Sequence, residues 1–257
     1  MPEAKITKLE PYRDDLDNEI LYDGDLDLTV DITIKGARNR LVIAADANLA
    51  SLKVLMAGDD GLIEIGGTPL KRMPLRFYLK CGYESTIRIG ENIGTDTQVY
   101  ISAAEGVTVH LGSDCMVAAG VQLRSDDTHA LYDVRSGKRI NPAHDIHIGD
   151  HVWLGRDVVI MGGVTIGNGS MLGLRSIVTR SVPNNCVAVG SPARVIRRNV
   201  VWERPELHYY RPGELDNGPV KRTEAFWNET DDSSVDNPAP VVSPAPRGGL
   251  RRLVRGG

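Results

Sequence analysis

Cysteine is scarce: Cys81, Cys115 and Cys186 are the only three in 257 residues. They cannot all pair and show no metal-ligand spacing, so neither a disulfide framework nor a cysteine-held metal organises the chain. A reducing compartment is the expected setting. Large aromatics are thin as well, at 5%, which disfavours a helix-rich core. No apolar run approaches the ~18 residues needed to span a bilayer. The opening MPEAKITKLEPYRDDLDNEI lacks the apolar stretch of a secretory signal. The net charge is −4, with no clustered basic face of the kind a phosphate backbone requires, so nucleic acid is not an expected partner. These absences predict a cytoplasmic protein long enough to bury a real core.

What the chain has instead is glycine, 27 residues, and a repeat. Every sixth residue from Ile148 is aliphatic: Ile148, Leu154, Ile160, Ile166, Leu172, Val178. The next position is mostly glycine (Gly149, Gly155, Met161, Gly167, Gly173, Thr179). The fourth place after each aliphatic is small or β-branched: Val152, Val158, Val164, Ser170, Ser176, Val182. Six is not a helical period, but it suits a short strand plus a corner. Three such units make a triangular coil, and stacked coils bury one another's faces.

Leu111, Val117 and Leu123 carry the step upstream, with Cys115 in a fourth place, so its thiol reads as a small inward hydrophobe rather than a nucleophile. Weaker strand-like pieces (LDLTVDITI, NRLVIAA, SLKVLMA, GLIEIGG) extend the solenoid toward residue 26. The expected organisation is a cap over 1–25, a β-helix over 26–200 with a loop insertion at 124–147, and a segment over 201–228 that shields the open end. A disordered Pro/Gly-rich basic tail would follow over 229–257. The arginines of that tail suggest weak contact with an anionic membrane surface or an acidic partner, with a solvated basic tail the favoured reading.

Residues 146–200, through HVWLG, VTIGNGS, SIVTRSVP and VAVGSPARVIR, resemble the hexapeptide-repeat acyltransferases. SDDTH at 125–129, SGKRINPAHDIHIGDHVWLG, and RNVVWERPE at 198–206 are most similar to the O-acetyltransferases of capsular and other cell-surface polysaccharides. The resemblance implies an all-β, left-handed parallel β-helix, although parallel crossovers are right-handed as a rule. It further implies a homotrimer, acetyl-CoA as co-substrate, no metal, and a carbohydrate hydroxyl as acceptor.

Acyl transfer to a hydroxyl needs a base and a stabilised oxyanion. The polar insertion interrupts the six-step between Leu123 and Ile148, and it carries His129, the expected base. Asp126 or Asp127 would orient its ring. Trp153 precedes an inward residue, so it points outward, either beside the acceptor or donor arm or into plain packing. The resemblance further implies cofactor contacts at Gly155, Gly173, Ser176, Thr179, Arg180 and Arg197. At 172–176, LGLRS departs from the family's smaller residues, with Arg175 a further phosphate candidate. His144, His147 and His151 read as surface histidines rather than zinc ligands. The rival readings are an amino-sugar nucleotide N-acetyltransferase, which commonly adds a Gly-x-Gly-x-x-Gly domain not found here, and a non-catalytic solenoid scaffold.

Overall fold

The computed structural model describes residues 3–68, 73–215 and 222–236. They wind into a left-handed parallel β-helix of about seven turns. Three sheets of eight, eight and six strands form its faces. The first face includes Leu75–Cys81, Val99–Ala103, Gln122–Arg124, Val159–Met161 and Ile177–Val178. The second includes Thr86–Ile89, Thr108–Leu111, Ile146–Ile148 and Val164–Ile166. The third includes Gly94–Thr95, Met116–Val117, Trp153–Leu154, Met171–Leu172 and Val187–Gly190.

The repeat predicts this interior. Ile148, Leu154, Ile160, Ile166, Leu172 and Val178 are all fully buried, and so are the fourth-place residues. Each such aliphatic contributes about 1.5–3 kcal/mol of burial free energy. Cys115 points inward among them. Its thiol donates to the Gly149 carbonyl at 3.3 Å, and burial pushes it up to about 12. It is no nucleophile.

At the N-terminal end the parallel ladder starts at Glu19, where Glu19–Leu21 pairs with Arg40–Ile43. Glu3–Lys8 lies antiparallel on Thr29–Lys35 and covers that sheet's edge. At the other end, Ala193–Arg197 folds back antiparallel on Val187–Gly190.

The sequence predicts that the segment after residue 200 shields the open end of the helix. That segment runs along the corner between the second and third faces. Trp202 covers His151, Arg204 reaches Asp114 one coil further on, and residues 222–236 return along the same corner. The two arms are tied by Glu203, which accepts from the Thr223 N–H (2.6 Å), the Thr223 hydroxyl (2.8 Å) and the Trp227 indole (2.7 Å). Buried polar groups at this corner need partners, and the strap supplies them.

Residues 229–236, expected in the tail, are packed as well. Thr230 donates to the Asn185 carbonyl at 3.1 Å, and Ser234 accepts from the Asn184 N–H at 3.0 Å. The rest of the expected tail, with its arginines, lies outside the described residues. Ending the chain at Asp236 should leave the melting temperature unchanged. Ending it at Arg222 removes Phe226, Trp227 and Thr230, and should lower it by about 5–10 °C, at ~2–4 °C per kcal/mol for a chain this long. Thermal denaturation of the two truncations checks this.

Candidate active site

The insertion leaves the first face after Arg124 and rejoins the second at Ile146. It is braced rather than loose. Glu105 sits at a corner one coil earlier with φ +62°. Its carboxylate accepts from both terminal nitrogens of Arg139, one at 3.0 Å, and from the Ala143 N–H at 2.9 Å. The Arg139 bond holds the Glu105 carboxyl below its usual range. Asp145 accepts from the Thr108 N–H at 2.7 Å. Within the loop, the Asn141 amide donates to Asp127 Oδ2 (3.0 Å) and to the His129 carbonyl (2.9 Å), while its oxygen accepts from the Leu131 N–H (2.7 Å).

His129 is exposed. Its backbone is held by Asn141, and its ring has no hydrogen-bond partner among the described residues. The expected orienting acids do not reach it. Asp126 accepts from the Thr128 N–H at 2.9 Å and the Ser125 hydroxyl at 3.3 Å, closing its own Asx turn. Asp127 is taken by Asn141. Both carboxylates shape the loop instead of touching the imidazole.

Trp153 points outward from the third face, half-buried, as strand alternation predicts. It stands in register with Met116 and Met171, and the line continues through Val187 to Arg197. The Trp202 ring lies 6.1 Å away, centroid to centroid. Arg197 is exposed at the end of this apolar strip.

The other expected cofactor contacts separate by location. Gly155 and Gly173 are buried corner residues. A Cβ on Gly155 would come within 2.7 Å of the Leu172 carbonyl, and one on Gly173 within 2.5 Å of Val189 Cγ1. Their glycine is required by coil stacking. Ser176 is a correction to the expectation. It is fully buried, and its hydroxyl accepts from the Gly190 N–H at 3.1 Å, because the fourth place of the repeat always points inward. Thr179 and Arg180 are exposed at the corner between the first and second faces, the same vertex that carries the insertion. Arg175 pairs with Asp157 across neighbouring coils at 3.4 Å.

Of the three histidines expected at the surface, His144 is exposed, whereas the other two differ. His151 is fully buried. Its φ of +54° takes it out of strand alternation at a corner. Its ring is sandwiched between Trp202 (4.1 Å) and Phe226 (4.6 Å), both nearly parallel to it. Nδ1 lies 2.6 Å from Asp114 Oδ2, and Nε2 lies 2.9 Å from the Trp202 carbonyl, so both nitrogens face acceptors. Burial raises the Asp114 carboxyl, but the bonds from His151 and Arg204 outweigh it and leave it below its usual range. Sequence reasoning missed this cluster because its aromatic partners arrive from the strap, about 50 residues and more along the chain.

His147 is half-buried, with Nδ1 3.3 Å from Nδ1 of His110 on the neighbouring strand. Burial first, then His147 and Arg88, push His110 down to about 4. The unfolded chain therefore takes up this proton near pH 6.5, and the folded one only near 4. Stability present above 6.5 should fall as pH drops through that window. His110→Gln should flatten the fall, and melting temperature measured against pH checks it.

The coil geometry and the interrupted six-step define a hexapeptide-repeat β-helix with one polar insertion. Residues 145–180 match the family model of the bacterial transferase hexapeptide (six repeats). A polysialic acid O-acetyltransferase of Neisseria meningitidis is 33% identical over 178 residues, covering 69% of this chain and 81% of its own length. Another, from Escherichia coli O1:K1 / APEC, is 40% identical over 125 residues, 49% of this chain. The chain spans only 38% of that relative's length. The crystal structure of the polySia-specific acetyltransferase NeuO aligns with a TM-score of 0.58 at 32% identity, covering 74% of this chain and 80% of that one. The chain belongs to the bacterial hexapeptide-repeat transferase family.

Proposed function

We propose that the protein transfers an acetyl group from acetyl-CoA to a hydroxyl of a carbohydrate, a cell-surface polysaccharide, glycolipid or sugar precursor. The observation that carries this reading is the insertion: a braced loop, clasped by Asn141, that presents a free imidazole to solvent. Neutral histidine suits removal of a hydroxyl proton near pH 7. In a ternary complex the acceptor oxygen bonds to the acyl carbon as His129 takes its proton. The carbon–sulfur bond then breaks, and the departing thiolate receives that proton. The relatives named above as polysialic acid O-acetyltransferases support the acceptor class.

For the donor, the half-buried strip Met116, Trp153, Met171 and Val187 offers an apolar bed. The exposed Arg180 and Arg197 offer charge for phosphates. In one chain these groups lie apart. His129, Thr179 and Arg180 share the vertex between the first and second faces, while Trp153 and Arg197 lie on the third face opposite. A homotrimer that sets the vertex of one copy against the third face of the next joins them. Leu131, Tyr132, Val134 and Ile140, all exposed on the insertion, give that contact an apolar surface.

A panel of carbohydrate acceptors with acetyl-CoA, read by free thiol released, tests the reaction. Size measurement should give three times the 28.0 kDa chain mass. Thiol release that no carbohydrate stimulates would overturn the reading.

A further inference from the structure

The outer surface of the first face, beside the insertion, carries a small grid of side chains in strand register. Tyr78, Tyr100 and Gln122 form one row, and Lys80, Ser102 and Arg124 the next. Neighbours within a row are about 4.8 Å apart, and the rows are two residues apart along each strand.

The first row is an aromatic platform. Tyr78 and Tyr100 pack edge to face with centroids 5.2 Å apart. Lys53 lies 5.3 Å from the Tyr78 ring centroid, and Arg124 lies 5.4 Å from that of Tyr100.

The second row is cationic around a buried hydroxyl. Ser102 is 2% exposed, and its Oγ has no hydrogen-bond partner among the described residues. A buried hydroxyl without a partner is costly, at about 1–3 kcal/mol, unless a ligand meets it. Ser102 lies in the floor of a depression of about 260 Å³ that Lys80, Glu105, Asp126 and Thr128 also line. Asp126 and Thr128 belong to the loop that carries His129.

Two of the nearby acids are paired with cations, and the third, Asp126, accepts only from neutral groups of its own turn. Asp31 pairs with Lys53 at 2.7 Å, Glu105 with Arg139, and Asp126 with its own turn. Lys80 and Arg124 have no carboxylate partner among the described residues. Arg124 donates only to Gln122, at 3.2 Å. Two cations without a carboxylate partner among the described residues thus stand in register on either side of an unpartnered hydroxyl, next to a pair of aromatic rings.

We infer that Lys80, Ser102 and Arg124 form a subsite for an anionic group on the acceptor, a sugar carboxylate, whose ring lies beside the outer edges of Tyr78 and Tyr100. The inference rests on the transferase reading for the identity of the acceptor, though not for the existence of the subsite. Charge-assisted hydrogen bonds from Lys and Arg bind the carboxylate, the Ser102 hydroxyl donates a third, and the sugar lies along the outer ring edges of Tyr78 and Tyr100, whose faces Lys53 and Arg124 cover. The anion fixes which hydroxyl comes to His129.

The test uses the full chain, a short oligomer of sialic acid, and the same oligomer with its carboxyls converted to neutral amides. Lys80→Gln, Arg124→Gln and Ser102→Ala are compared with the wild type in binding without acetyl-CoA, in KM for each acceptor, and in KM for acetyl-CoA. Melting temperature serves as the folding control. Each charge removal should weaken the acidic oligomer by about tenfold, the size of one charge-assisted hydrogen bond, so the preference for the acidic over the amidated oligomer should collapse. Equal losses on both oligomers would overturn the inference. A rise in KM for acetyl-CoA instead would also overturn it, by assigning the cations to a donor phosphate. Binding of the acidic oligomer that the variants abolish, in a protein that transfers no acetyl group, would sustain the subsite and sink the transferase reading.

Discussion

His129→Ala should lower turnover by about 10²- to 10⁴-fold while melting temperature and acetyl-CoA affinity stay at wild-type values, the span typical of a positioned acid–base group. The structure makes the two halves of this expectation separable. The His129 side chain is exposed and bonds to nothing described, and only its carbonyl is used, by Asn141. Alanine keeps that carbonyl, so the clasp survives. The contrast is His151→Ala. Its ring fills the space between Trp202 and Phe226 and bonds to Asp114, so its loss should show in the melting temperature first. Kinetics and thermal denaturation of both variants distinguish a base from a structural histidine. If His129→Ala turns over at the wild-type rate, the base lies elsewhere. The likeness of SDDTH to the family's segment would then be one of loop shape alone.

The sequence carries the interior of this fold because the coil repeats its demand every six residues. Leu154 and Val178 are inward for the same reason, and Cys115 obeys it too despite its reactive side chain. The same rule misleads when it is applied halfway. Ser176 occupies a fourth place and is therefore inward, bonded to Gly190, although the family resemblance implied a cofactor contact there. His151 fails for a different reason. Alternation holds along a strand, but a residue at a corner with positive φ leaves it, and what then covers the side chain is decided by the distant strap. Single contacts between segments far apart in sequence have no period to betray them. Asp126 and Asp127 illustrate a third limit: spacing brought two carboxylates near a histidine, but local turn closure and Asn141 claimed them before the ring could. The grid of Tyr78, Tyr100, Lys80, Ser102 and Arg124 is spread over three coils, so its residues are neighbours only across the ladder, and no linear motif marks it.

The arrangement of His129 and Trp153 on opposite sides of one coil leads to the second large effect. Trp153→Ala should cost about 30-fold or more in turnover at subsaturating acetyl-CoA, as for an aromatic binding anchor worth ~2 kcal/mol, and His129→Ala leaves little activity of its own. If each site takes His129 from one copy and Trp153 from the next, a trimer mixed from the two variants regains intact sites. A site is whole when the copy giving its histidine carries Trp153→Ala and the neighbour giving its tryptophan carries His129→Ala. With random assembly of equal amounts in a closed ring, each of these has a chance of one half, so co-expression should restore about a quarter of wild-type turnover. Neither variant alone, nor the two assayed after mixing without subunit exchange, should approach that level. The quarter is a consequence of geometry rather than of how much each residue contributes, which makes it a sharp reading of site composition. Intact trimers that recover nothing would mean that both residues act within one chain. The separation seen between vertex and third face would then have to close by a movement of the insertion that its Glu105, Asn141 and Asp145 bonds oppose.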